Sequence, residues 1–131
     1  MLKTELSLAT KDLAANIAVK NLAVARNFYG NTLGLTPVDS REQEVLVYKC
    51  GQSTLMVYES KFAGTNKATA ATWTAGGDIE AIVQALKAKG VQFEHYDLPG
   101  MKQEGDLHVA DRMKAAWLKD PDGNILALVS G

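Results

Sequence analysis

Residues 21–35 run Asn-Leu-Ala-Val-Ala-Arg-Asn-Phe-Tyr-Gly-Asn-Thr-Leu-Gly-Leu. Asn21 is a good N-cap, because its side-chain oxygen can accept from the free N–H groups of a first helical turn. Leu22, Ala25, Tyr29 and Leu33 then recur on one helical stripe, with Phe28 on its flank, and Gly34 supplies a C-terminal stop. Residues 78–94 repeat the arrangement. Asp78 is the expected cap, Ile79, Ile82, Val83 and Leu86 form the stripe, and Gly90 ends it. Cap and glycine lie thirteen positions apart in the first copy and twelve in the second.

Working outward, each helix is preceded by a strand-like run, 17–20 and 70–75, and each glycine leads into a short apolar strand, 35–38 and 91–94. Hairpins follow. Strands at 44–50 and 54–58 flank a turn at Gly51-Gln52-Ser53, and strands at 114–119 and Ile125–Val129 flank Asp120-Pro121-Asp122-Gly123-Asn124. Proline followed by glycine and asparagine is strong turn chemistry. The order strand, helix, strand, strand, strand therefore occurs twice, in modules spanning about 13–60 and 68–130. The stretch from 96 to 111 has no first-half counterpart, and its glycines, charges and Pro99 predict a long loop, a candidate lid.

Bulk properties set limits. A chain of 131 residues is expected to form one domain with a sizeable core. A hydrophobic fraction of 47% with 22% charged residues excludes global disorder. The net charge of −1 gives no reason to expect nucleic acid or an anionic membrane as partner. Cys50 is alone, which suits a reducing, cytoplasmic setting. The first twelve residues carry no signal-like apolar run, and no later stretch is long enough to span a membrane.

Ala25-Arg26-Asn27-Phe28-Tyr29 with Leu33-Gly34-Leu35 resembles the A-x-x-F-Y-x-x-x-L-G-L signature of the glyoxalase/bleomycin-resistance/dioxygenase (vicinal oxygen chelate) superfamily. Ala116-Trp117-Leu118-Lys119-Asp120-Pro121-Asp122-Gly123-Asn124 resembles its F-x-D-P-D-G-N hairpin, and Asp78–Ala81 and Gly90–Phe93 follow the same manner. The likeness covers about 14–129. It implies an α+β fold in which two tandem β-α-β-β-β modules form an incompletely closed barrel around a concave cup. The signature residues themselves are structural: Phe28 and Tyr29 are core side chains, and the Asp-Pro-Asp-Gly-Asn run is a turn.

Metal-dependent members of that superfamily place His, Gln or Glu at four cup positions. Transferred to this chain, those positions are Ala14, Met56, Ala70 or Ala71, and Ala127. Methyl groups offer no lone pair and a thioether suits soft metals, so no metal and no cofactor are expected. His95 and His108 fall on or beside the long loop, where exposed surface histidines are the plain expectation. A site built from His108, Asp106 and Asp111, or a Cys50 nucleophile with His108 as base, is the catalytic alternative.

Strand alternation assigns faces. Leu126 and Leu128 should point to the helices, leaving Ile125, Ala127 and Val129 in the cup. Asn16, Met56, Tyr58, Thr72, Trp117 and Tyr48 should join them, with Trp73 on the helix side and Tyr96, Met101 and His108 closing the mouth. The expected ligand-binding set is thus Asn16, Tyr48, Met56, Tyr58, Thr72, His108, Trp117 and Ala127, an apolar, aromatic concavity of the kind that takes small molecules. By resemblance to the bleomycin-resistance branch, the expectation is a metal-independent small-molecule binder acting as a homodimer. The alternatives are a metal-dependent glyoxalase- or dioxygenase-type enzyme with non-standard ligands, and a structural module whose cup is closed. Sequence leaves open the identity of the ligand, and whether it is held or transformed.

Overall fold

The computed structural model describes residues 8–38 and 45–130. Strand β1 (Ala14–Val19) leads into helix α1 (Leu22–Arg26), where the Asn21 Oδ1 accepts from the N–H of Ala23 at 2.9 Å and of Val24 at 3.1 Å. The helix then widens into a π turn over Asn27–Thr32, with the Leu33 N–H donating to the Phe28 carbonyl at 2.8 Å. Gly34 takes φ +75°, as a helix stop requires. Strands β2 (Thr36–Val38), β3 (Val45–Cys50) and β4 (Ser53–Glu59) complete the first module; residue 44, expected to open β3, lies outside the described residues.

The second module holds β5 (Thr69–Thr74), α2 (Ile79–Ala88), β6 (Phe93–Glu94), β7 (Lys102–Glu104), β8 (Leu107–Ala110), β9 (Met113–Lys119) and β10 (Ile125–Val129). Asp78 makes no side-chain cap bond, contrary to expectation. A 3-10 turn over Gly76–Asp78 brings the chain into α2 and leaves Asp78 at ψ 3°, outside capping geometry.

The first sheet has the order β1-β4-β3-β2, with β1 and β4 parallel. The second has the order β5-β10-β9-β8-β7, with β5 and β10 parallel and β6 paired to the far part of β9. The sheets do not close into a barrel. Their common pattern is the twice-used β-α-β-β-β order.

One expectation is corrected here. Residues 96–111 are not a long loop, because β7 and β8 form a hairpin that widens the second sheet. Its two-residue turn is Gly105-Asp106, and only Gly105 has positive φ, at +63°. That is the pattern of a type II′ hairpin turn. Asp106 anchors the turn, contacting Lys87 of α2 at 2.7 Å and His95 at 2.8 Å.

A hydrophobic core lies between the sheets and the helices. It joins Ile17, Val19, Ala25, Tyr29, Leu55 and Val57 of the first module to Ile79, Val83, Leu118, Leu126 and Leu128 of the second. The turn at 120–124 ties the halves together. Asp120, only 5% exposed, accepts from the Tyr29 hydroxyl at 2.7 Å and from the Asn124 Nδ2 at 2.8 Å. Its other oxygen accepts the N–H groups of Asp122 and Asn124. Asn124 also donates to the Ala18 carbonyl at 2.8 Å, and the Lys20 N–H donates to Asp122 at 3.1 Å. Gly64, at φ +77°, backs onto this turn so closely that a Cβ there would lie 2.2 Å from the Asp122 carbonyl oxygen.

Candidate functional site

In the first sheet the ladder fixes the faces. Asn16 pairs with Met56 and Ala18 with Tyr58, so these four share the face turned away from the helices, together with Ala14. Asn16 and Tyr58 are exposed there and Met56 is partly buried. Tyr48 is on the other side. It pairs with Leu55, is 2% exposed, and packs with the Tyr29 ring at a centroid distance of 6.3 Å. The correction follows from the β3–β4 turn, which uses Gly51 and Gln52 alone because Cys50 pairs with Ser53. One residue fewer in the turn reverses every face along β3. Val47, opposite Met56, takes the position expected of Tyr48.

In the second sheet Ala127 pairs with Thr72 on one side and Trp117 on the other. His108 pairs with Ala115, two residues from Trp117, and so shares that face. Thr72 is exposed, Trp117 partly buried and Ala127 buried. His108 is buried at 0% exposure on a strand, which corrects its reading as an exposed loop residue. Its ring meets Trp117 edge-on, with centroids 4.8 Å apart and planes at 84°. Tyr96, on the irregular segment between β6 and β7, closes the group: its ring lies 5.5 Å from Trp117 and 6.1 Å from His108. The Tyr96 N–H donates to the His108 Nε2 at 2.8 Å, and Gln103 donates to the Tyr96 carbonyl at 2.9 Å. Three rings thus stand together on this face.

The other proposed partnerships do not form. Asp106 is engaged by Lys87 and His95, which hold its carboxyl below the ordinary carboxylate range, the Lys87 hydrogen bond first. Cys50 sits at the end of β3 in the first sheet, on its helix face, whereas His108 is on β8 of the second sheet.

The superfamily's metal positions can be tested against the registers. Ala14 and Met56 share a face in the first sheet, and Ala127 occupies the matching face of the second. Ala71 pairs with Leu126 on the helix face, which leaves Ala70, at the bulge beside Ile125, as the third position. Three methyls and a thioether make no donor set for a hard or borderline divalent ion. Asn16 and Thr72 add only neutral oxygens. Among the described residues no three His, Cys, Asp or Glu side chains gather as ligands. The residues present do not fit a metal.

Several concavities adjoin the sheets and helices. A depression of about 350 Å³ lies where β1 and β4 approach β5, lined by Ala15, Thr54, Thr72 and Thr74 among others. An apolar cavity of about 290 Å³ lies behind the second sheet, between Leu33, Leu35, Trp73, Ile82, Leu86 and Leu128. Trp73 therefore faces the helices, as alternation predicts.

The family model described as Glyoxalase/Bleomycin resistance protein/Dioxygenase superfamily matches residues 11–128. The chain belongs to this superfamily. Among solved structures, a glyoxalase/bleomycin resistance protein/dioxygenase from Alicyclobacillus acidocaldarius is 19% identical with a TM-score of 0.68, over 92% of this chain and 90% of that one. A lactoylglutathione lyase from Agrobacterium tumefaciens is 14% identical with a TM-score of 0.65, over 92% of each. A genomically encoded fosfomycin resistance protein from Listeria monocytogenes is 13% identical with a TM-score of 0.63, over 91% of this chain and 89% of that one. At these identities the likeness is one of fold. No curated protein matches the chain. Among the described residues no helix is long and apolar enough to cross a membrane.

Proposed function

We propose that this superfamily member is a metal-independent small-molecule binding protein, akin to the bleomycin-resistance branch, that holds a flat or aromatic molecule on the face away from its helices. The observation that carries the reading is the Tyr96–His108–Trp117 cluster, built on a face whose metal positions hold alanine and methionine. Aromatic rings gain roughly 0.5–1.5 kcal/mol beyond simple burial when they stack or meet edge-on, so such a cluster is a natural seat for a planar guest. Asn16 and Tyr58 on the first sheet and Thr72 on the second remain exposed on the faces turned away from the helices, and Met56 adds a soft, adaptable side chain there. The proposed state is a cytoplasmic homodimer.

A second reading draws on burial. Ala127 is 3% exposed and His108 fully covered, as in a module whose cup is packed shut. Tryptophan fluorescence separates the two. Titration with a library of planar aromatic compounds should yield at least one that quenches saturably at micromolar concentration. The quench should vanish in Trp117→Phe and survive in Trp73→Phe. A library without a saturable ligand, or a quench that follows Trp73, sinks the binding reading in favour of the packed one.

A further inference from the structure

His108 carries an unmet hydrogen-bond donor. The Tyr96 N–H occupies the Nε2 lone pair at 2.8 Å, so the neutral ring holds its proton on Nδ1. That Nδ1 is buried and finds no hydrogen-bond partner among the described residues. Buried polar groups are almost always satisfied, and an orphan donor is costly. The cost falls on a histidine packed edge-on against Trp117, inside the one ring cluster of the proposed binding face.

We propose that the His108 Nδ1–H is the recognition donor of the cup, and that its ligand class is planar aromatic molecules bearing a carbonyl, carboxylate or phenolate oxygen. This rests on the binding reading above and adds its polar half. The aromatic body meets Trp117, and the oxygen accepts from Nδ1 after the Tyr96 side chain swings from the ring. Tyr96 is suited to that movement because it stands on an irregular segment rather than on a strand. Its backbone N–H keeps Nε2 occupied and so keeps the proton on Nδ1. A site that offers a buried donor discriminates strongly against a guest that cannot accept from it.

Two matched probes test this, 2-acetylnaphthalene and 2-isopropylnaphthalene, which share a shape and differ in the carbonyl oxygen. In fluorescence titrations the acetyl compound should bind at least tenfold more tightly, although it is the more water-soluble of the two. His108→Phe should bring the two affinities to within twofold, and His108→Asn, which restores an N–H near Nδ1, should recover part of the preference. In the unsubstituted protein the imidazole Nδ1–H resonance should move downfield with the acetyl compound and stay in place with the isopropyl one. Equal affinities in the unsubstituted protein, or a preference that persists in His108→Phe, overturns the inference while leaving the cup intact. If neither probe binds, and the wider library also gives no ligand, the binding reading falls and takes this inference with it. Should the variants fail to fold, the two-probe comparison and the Nδ1–H shift decide by themselves.

Discussion

The hydroxyl of Tyr29 donates to the carboxylate of Asp120 at 2.7 Å, across 91 positions of sequence, and both groups are buried. The two signature motifs of the chain are therefore bonded to each other. A phenol against a charged acceptor is worth about 1.5–3 kcal/mol. Tyr29→Phe should lower stability by that amount in urea denaturation. Asp120→Ala, which strands the Tyr29 hydroxyl, one of the two Asn124 amide hydrogens and two backbone N–H groups, should cost more.

The same contact sets behaviour in alkali. Burial first, and the Asp120 charge second, push the Tyr29 phenol far above its ordinary range, and burial raises Tyr48 as well. Folding then favours the protonated phenol. The contribution is present in full below the unfolded value of about 10 and is lost as pH rises beyond it. Stability should fall steadily as pH rises above about 10, and the slope should be shallower in Tyr29→Phe. An unchanged slope would remove Tyr29 as its cause.

Gly64 should resist any replacement. Alanine there would place its methyl 2.2 Å from the Asp122 carbonyl oxygen and would need φ near +77°. Gly64→Ala should cost more than about 2 kcal/mol, whereas Gly51→Ala, at φ +56° but facing open space, should cost about 1. Thermal denaturation of the pair measures the difference.

The register of β10 has its own signature. Leu126 is fully buried toward the helices, so Leu126→Ala should cost about 2–5 kcal/mol through the cavity it leaves. Ala127 faces the other way at 3% exposure, and Ala127→Ser should cost about 1 kcal/mol for its poorly solvated hydroxyl. Equal losses would mean that both faces are core.

With alanine and methionine at the superfamily's metal positions, Ni²⁺, Mn²⁺ and Zn²⁺ should leave the melting temperature unmoved. A ligand of the native state must stabilise it by mass action. One tightly held ion per chain in elemental analysis would contradict the proposed metal independence.

Much of the fold was legible because its punctuation is local. Asn21 and Gly34 bound the first helix, and Asp120 to Asn124 fix the last hairpin, from which the faces of Trp117, Leu126 and Ala127 follow by counting. The β7–β8 hairpin is not legible in the sequence although Gly105-Asp106 is a good two-residue turn. Its strands are three and four residues long, and Lys102, Gln103 and Glu104 are all exposed, so no alternation marks them. The face of Tyr48 hinges on one residue of turn length, which its sequence does not fix. The meeting of Tyr96 with His108 was beyond sequence, since it depends on where an irregular segment crosses a sheet.

The added hairpin breaks the equality of the two halves. A duplicated scaffold with matching walls would present any guest with two interchangeable poses. Among the described residues one wall ends at β2, while the other runs on through β8 to β7 and carries His108 and Trp117, with Tyr96 of the adjoining segment set against them. The duplication supplies the frame, and the insertion gives it a handedness that a guest can sense.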